Sequence, residues 1–387
     1  MDTGNKALIR DMNIRFILKM IIEMGPISRA DIAKLSGLTK ATVSAIVKLL
    51  LDQQLVVETG SAATQKGRKP ILLKFCPESG YIIVFDIGRL ETTVLASDLC
   101  GLTIYLQTYP TPADKEALLP WLIQTIARLK DTLPPSIYGV VGICIGIHGI
   151  VHDSTIVFAP YYPYAGLQLK TPLEDYFHIP VFVENEANLS VIGEHGFCFD
   201  CDNLAVLSIH SGIGLGVILH GRLYTGPDGY AGEFGHSVIE LGGRPCPCGN
   251  RGCLEQYASE QALLKEYARL KGLAQMPSFA AFKKAADQKE PEAMRILETF
   301  TGYIAAGLNN IVQTFNPELI IISSRFTDTY PELIENIRAQ LPRRIRPLCR
   351  MRTSLLSSRA VLLGGVCLVL KNFLRLDRVR LEKFLNT

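Results

Sequence analysis

The stretch EFGHSVIELGGRPCPCGNRGCLE, residues 233–255, sets His236 and three cysteines, Cys246, Cys248 and Cys253, within eighteen residues of a loop rich in Gly and Pro. One imidazole and three thiols at that spacing form the donor set of a closed tetrahedral zinc site. The tight Cys246-Pro247-Cys248 step needs bends that Pro247, Gly249 and Gly252 make feasible. With all four positions filled by protein, no place is left for an activated water, so the metal is expected to be structural rather than hydrolytic. Cys198-Phe199-Asp200-Cys201 is read as incidental, lacking a second pair or a histidine beside it. Cys76, Cys100, Cys144, Cys349 and Cys367 lie in apolar runs and read as core thiols.

Around this loop the chain has room for two or three domains, with 387 residues, 48% hydrophobic and 20% charged. That balance excludes bulk disorder and low-complexity structure. The longest apolar run, residues 137–151, contains His148 and four glycines. It falls short of the ~18 to 20 residues that cross a bilayer and reads as a buried strand with its turns. The first residues lack an apolar signal core, so a cytoplasmic location without membrane association is expected. Residues 1–75 hold twelve Lys+Arg against six Asp+Glu, whereas the rest holds 28 against 31. A cationic head on a mildly anionic body suits a polyanion met by the head alone, although a solvated basic face gives the same excess.

In that head, Ile14, Ile17, Leu18, Ile21 and Ile22 repeat at helical spacing from Asn13 to Met24, and Gly25-Pro26 ends the helix. Ser28-Arg29-Ala30-Asp31 resembles a capping box for a short helix through Leu35, burying Ala30, Ile32 or Ala33, and Leu35. Ser36-Gly37-Leu38 is the turn, and Thr39 caps a second helix. Val43, Ile46, Val47 and Leu50 share one face of that helix, leaving Lys40, Ala41, Ser44, Ala45 and Lys48 on the other. Two short helices joined by a Gly turn make a helix-turn-helix. The β-rich runs 55–59 and 71–75 flank a loop that reads as a wing with Lys66, Arg68 and Lys69 at its tip. The expected DNA contacts are Thr39, Lys40, Ala41, Ser44 and Lys48 in the major groove, steadied by Lys66, Arg68 and Lys69.

From residue 78 onward short strands alternate with helices. Strands are expected at 81–87, 92–97, 102–108, 138–145, 204–209, 215–219, 223–225 and 318–323. Helices are expected at 116–132, 261–271, 291–315 and 330–340. The repeated order suggests two α/β lobes around a cleft.

The zinc signature, with Glu233 and Glu255 at its ends and Glu184-Asn185-Glu186-Ala187-Asn188 upstream, resembles the ROK family of repressors, open-reading-frame proteins and sugar kinases. The fused winged helix resembles its repressor branch. Pro26-Ile27-Ser28-Arg29-Ala30 and Tyr257-Ala258-Ser259-Glu260 are similar to the xylose repressors of Gram-positive bacteria. The resemblance implies an α/β, actin-like sugar-kinase (ribonuclease H-like) fold with two lobes behind a winged helix-turn-helix. Residues 1–77 would be the DNA-binding domain and 78–387 the body. Lobe I would take 78–185 with a C-terminal helix at about 359–387, and lobe II 186–358. Carried onto this chain, Asn185, Glu186, Glu233, His236 and Glu255 would hold a sugar between the lobes, although Glu233 and Glu255 could instead merely orient the zinc loop. His236 would bind zinc through one ring nitrogen and aim the other at a sugar hydroxyl. Gly146-Ile147-His148-Gly149 matches the family's Gly-x-Pro-Gly turn beside the sugar, with His148 in place of the proline.

A kinase of this family needs a catalytic Asp, which here is Glu186, and a phosphate motif Asp-x-Gly-Gly-Thr, which here reads Asp86-Ile87-Gly88-Arg89-Leu90. The second motif survives as Ser211-Gly212-Ile213-Gly214-Leu215-Gly216. The adenosine motif, usually three glycines, is Ser323-Ser324-Arg325. ATP is therefore not expected to bind, and no catalytic residue is assigned. The resemblance implies a sugar-responsive repressor with xylose as inducer, acting as a homodimer or tetramer on palindromic operator DNA. A ROK sugar kinase using ATP on a hexose is one alternative. A body that docks a transport-system protein is another.

Overall fold

A computed structural model describes residues 3–61, 70–159 and 163–385. Contacts divide the chain into two units: Met1–Ile145 with Leu169–Val183 and Gly365–Thr387, and Gly146–Gln168 with Glu184–Gly364. The winged helix thus clusters with the first unit, residues 146–168 cluster with the second, and the last boundary falls inside a helix.

The first unit opens with α1 (Thr3–Met24), β1 (Ile27–Ser28), α2 (Arg29–Ser36), α3 (Lys40–Asp52), β2 (Val56–Ser61) and β3 (Ile71–Phe75), the strands pairing in the order β1-β3-β2. α1 starts ten residues earlier than its apolar repeat predicts. Its first turns keep Leu8, Ile9, Met12 and Phe16 exposed, an apolar set at helical spacing that the buried repeat from Ile14 onward does not include. Ser28 Oγ accepts from Asp31 N at 3.1 Å and donates to Asp31 Oδ2 at 2.6 Å, so the Asp version of the capping box forms. α2 buries Ile32 alone. Ala30 and Leu35, expected inside, are exposed, because a helix of two turns has room for one core side chain.

Lysine and backbone contacts fasten this head to the C-terminal segment of the same unit. Lys383 Nζ donates to the Gly25 carbonyl at 2.9 Å, Arg380 N to Glu23 Oε1 at 3.1 Å, and an Arg15 guanidinium nitrogen to the Arg375 carbonyl at 3.2 Å. Beyond the head, β4 (Tyr81–Ile87), β5 (Glu91–Asp98), β6 (Thr103–Pro110), β7 (Val140–Ile147) and β10 (Val181–Asn185) form a sheet ordered β10-β7-β4-β5-β6. α4 (Lys115–Thr132) sets Trp121 edge-on to Phe85 at 5.9 Å.

The hairpin β8 (Ile150–His152) and β9 (Thr155–Phe158) precedes α5 (Lys170–Phe177) in the chain. The second unit's main sheet runs β13-β12-β11-β14-β15, made of β11 (Leu204–Ile209), β12 (Ile213–Leu219), β13 (Arg222–Leu223), β14 (Leu319–Ser324) and β15 (Met351–Thr353). β11 and β14 are parallel, and both faces are covered, which explains their unbroken apolar runs. Val206 and Ile321 pack with Val191 of α6 (Glu186–Phe197). Leu207 and Ile322 belong to the larger core that holds Phe300, Ile304 and Leu308 of the long α10 (Pro291–Phe315).

α7 (Glu255–Ala258), α8 (Glu260–Lys271) and α9 (Phe279–Asp287) lie between sheet and α10 in sequence. The helix expected at 330–340 is α12 (Leu333–Gln340), which starts just after Pro331, and a short α11 (Arg325–Thr329) that was not expected precedes it. α13 (Ala360–Leu374) follows β15, and its first residues belong to the second unit, its last to the first. The window Ser357–Leu374 is long and apolar enough to cross a membrane by composition, yet 56% of it is buried inside the protein, as in a core helix.

Candidate functional site

The site in the second unit is assembled from four short segments. Glu186 is the first residue of α6, Glu233 precedes and His236 ends a single 3₁₀ turn, Glu255 opens α7, and residues 210–212 form the turn joining β11 to β12. Glycine leaves room for neighbouring side chains at Gly212 in that turn and at Gly214 in β12. A Cβ on Gly212 would stand 2.5 Å from Glu255 Oε2, and one on Gly214 would stand 2.8 Å from Ala187 Cβ and 3.2 Å from Glu186 Oε1. The Ser211–Gly216 pattern thus has a structural cause independent of phosphate, since its glycines admit two carboxylates.

Those carboxylates feel one another. Burial, followed by the charges of Glu186 and Glu255, pushes the Glu233 carboxyl up to about 7. Glu255 Oε2 accepts from Ile213 N at 3.3 Å and Oε1 from Gln256 Nε2 at 3.3 Å. Glu184 accepts from Asn185 N and Asn188 Nδ2, bracing the start of α6 while burial raises its carboxyl. Asn185 caps α6: its Oδ1 accepts from Ala187 N at 2.8 Å and Asn188 N at 3.2 Å, and its Nδ2 donates to the Gly149 carbonyl at 2.9 Å. His148 Nδ1 lies 3.7 Å from Glu186 Oε1.

His236, Cys246, Cys248 and Cys253 converge so that their donor atoms all lie within 4.8 Å of one another. His236 Nδ1 is 3.5 Å from Cys246 Sγ, and Cys248 Sγ is 3.8 Å from Cys253 Sγ. A tetrahedral ion with metal–sulfur bonds of about 2.3 Å and metal–nitrogen bonds of about 2.0 to 2.1 Å has donor–donor edges of about 3.5 to 3.8 Å. The residues therefore fit a metal. The left-handed turns are at Gly249 (φ 95°) and Gly252 (φ 84°), as the Cys-x-Cys geometry requires. Burial and the neighbouring thiols push Cys253 up to about 12. A cation favours the thiolate and acts in the opposite direction.

The second ring nitrogen of His236, Nε2, faces Glu233 Oε2 at 3.8 Å. Gln256 Nε2 lies 3.5 Å from Cys246 Sγ and also reaches Glu255, linking the thiol cluster to the carboxylates. No spacing in the sequence marks this glutamine. The Cys198/Cys201 pair does have a histidine beside it, His195, whose Nε2 lies 2.9 Å from the Cys201 carbonyl. Both cysteines are half-buried against the core of Val191, Phe199 and Leu204. Cys76 is half-buried, while Cys100, Cys144, Cys349 and Cys367 are buried.

In the first unit, Thr39 caps α3 by accepting from Thr42 N at 3.2 Å. Val43, Ile46, Val47 and Leu50 are buried, while Thr39, Lys40, Ala41, Ser44, Ala45 and Lys48 are exposed. The helix thus offers a small, cationic outer face. Lys66, Arg68 and Lys69 lie outside the described residues.

The ROK family profile matches residues 82–372, three quarters of this sequence. The chain belongs to the ROK family. A MarR family profile matches residues 16–66, over the winged helix. This ROK chain is 35% identical over 382 residues to the xylose repressor of Bacillus spizizenii, covering 97% of itself and 99% of that protein. Its fold is similar to the crystal structure of a ROK family transcriptional regulator, a homologue of the E. coli MLC protein. That likeness has a TM-score of 0.79 at 27% identity, over 95% of this chain and 97% of that one. It is also similar to a ROK family glucokinase from Streptomyces griseus in complex with glucose and AMPPNP. There the TM-score is 0.67 at 26% identity, over 75% of this chain and 99% of that one.

Proposed function

We propose that this ROK protein is a sugar-responsive transcriptional repressor whose body binds an uncharged sugar and does not transfer phosphate. The observation that carries the reading is the pairing, in one chain, of an exposed cationic recognition helix with a nest of hydroxyl-accepting carboxylates. Near-full-length similarity to a xylose repressor supports it. Glu186, Glu233, Glu255 and the Nε2 edge of His236 would hold sugar hydroxyls, carboxylates serving as paired acceptors. The four-donor cluster would hold a structural zinc ion, which fixes the His236 ring and ties Gln256 and Glu255 to the loop.

Two features argue against kinase activity. Glu186 stands where the family's base is Asp, and its extra methylene shifts the carboxylate by roughly 1 Å, enough to harm proton abstraction. Arg325, in the adenosine motif, is anchored to the Glu260 carboxylate and lies over the Phe279 ring at 5.1 Å, filling space that glycine would leave open. A cavity of about 540 Å³ lined by Ser211, Glu255, Lys265 and Glu266 also bears Arg244 and Arg269, but both guanidiniums are paired to Glu266, so its cations are largely balanced by carboxylates and it gives the kinase alternative little support.

On DNA, a two-fold dimer would place α3 of each protomer in successive major grooves of a palindromic operator in the cytoplasm, with Lys66, Arg68 and Lys69 adding backbone contacts. Sugar would favour the conformation with lower operator affinity. A coupling of about 1 to 3 kcal/mol corresponds to a 5- to 150-fold loss. The test has two parts. Operator fragments selected from random duplex DNA should be released by xylose, the favoured inducer, or by another neutral sugar. Incubation with ATP and the same sugars should give no turnover, whereas rates in the ordinary kinase range of about 1 to 10³ s⁻¹ would overturn the reading.

A further inference from the structure

Asn185 is engaged at both ends of its amide. Its oxygen takes two backbone N–H groups of α6, and its nitrogen holds the Gly149 carbonyl. That second bond fixes the turn immediately after His148. The imidazole is then left with Nδ1 3.7 Å from Glu186 Oε1, the two side chains being 23% and 14% exposed. This separation is too long for a direct hydrogen bond. It does suit one hydroxyl oxygen at the usual distance of about 2.8 Å from each, donating its proton to the carboxylate and accepting one from Nδ1–H.

We propose that His148 and Glu186 together grip one hydroxyl of an uncharged sugar, and that Asn185 is the positioning residue that holds His148 in place. The proposal rests on the sugar-responsive reading above and adds to it the side chain that donates. Proline, which the family pattern places at 148, has no such donor. Glu186, Glu233 and Glu255 supply acceptors only once ionised, so a donor on this wall lets the site recognise both the proton and the lone pair of a hydroxyl. The same three carboxylates disfavour an anionic ligand and restrict the class to neutral polyols. With most of the pair covered, a bond made there competes weakly with water.

Calorimetric titration of the full chain with D-xylose, D-glucose and N-acetyl-D-glucosamine tests the assignment, with zinc content and melting temperature measured for every variant. His148→Ala should weaken the sugar that the wild type binds by roughly three- to tenfold, the usual effect of losing a hydrogen bond between uncharged groups. Zinc content and melting temperature should not change. His148→Gln, which keeps a donor, should recover part of the loss and also serves should the alanine variant fail to fold. Asn185→Ser keeps a capping oxygen and should weaken binding less than His148→Ala. Wild-type affinity in His148→Ala overturns the proposal, as does an Asn185→Ser variant that loses all binding while His148→Ala stays within twofold. A wild-type protein that binds none of the three sugars overturns the sugar reading itself, an outcome distinct from any ranking of variants.

Discussion

His236 divides its two ring nitrogens between tasks, Nδ1 toward Cys246 and Nε2 toward Glu233. Its removal should therefore have two effects where others have one. His236→Ala is expected to lower bound zinc from one per chain to near none and to abolish sugar release, while leaving operator binding intact. Cys248→Ser should remove the metal and lower stability by a few kcal/mol, or several degrees of melting temperature. Glu186→Ala should keep both metal and DNA and lose only the response to sugar. Atomic absorption and fluorescence anisotropy on labelled operator, with and without sugar, separate these patterns. A sugar-insensitive Glu186→Ala that had also lost DNA binding would contradict them. At this scale the metal donors were legible because they lie close together in sequence. Gln256 and the Glu260–Arg325 pair were not, since tertiary approach alone brings Arg325 to a carboxylate 65 positions away.

Among elements, α3 was readable residue by residue because it has one wet and one dry face. α6 and α13 left no such trace. Val191, Gly193, Glu194, His195 and Phe197 of α6 are all buried, and α13 is apolar around its circumference, so neither shows a polar stripe. Exposed Lys40 and Lys48 should contribute chiefly to phosphate attraction. Replacing both with Ala should weaken operator binding across sequences and reduce the slope of log K against log salt by about 1.8. An unchanged slope in a salt titration would remove them from the interface. α6 also carries Glu194, which accepts from Ser354 Oγ and from Leu356 N at 3.3 Å. Burial raises its carboxyl. Between the ordinary value of about 4.3 and the raised native one, the folded chain binds more protons than the unfolded chain. This stabilising contribution is complete below that window and is lost as pH rises through it. Glu194→Gln should flatten this decline, as read from urea midpoints measured between pH 4 and 8.

For the whole molecule, alternating strands and helices identified an α/β body behind a DNA-binding head, but not the fastening of that head by the far end of the chain. Lys383, Arg380 and Arg375 meet Gly25, Glu23 and Arg15 across more than 350 positions, and no local pattern announces such contacts. Deleting residues 375–387 should loosen the winged helix, weaken operator binding and expose α1 to proteases. Zinc content should stay at the intact level, because the metal donors belong to the other unit. Full operator affinity in the truncated chain would show the fastening to be dispensable. The first unit also draws on three separated stretches of the polypeptide, Met1–Ile145, Leu169–Val183 and Gly365–Thr387, so during synthesis it stays incomplete until Gly365–Thr387 has been made. A nascent chain stalled at residue 359 would carry its recognition helix on an unfinished scaffold.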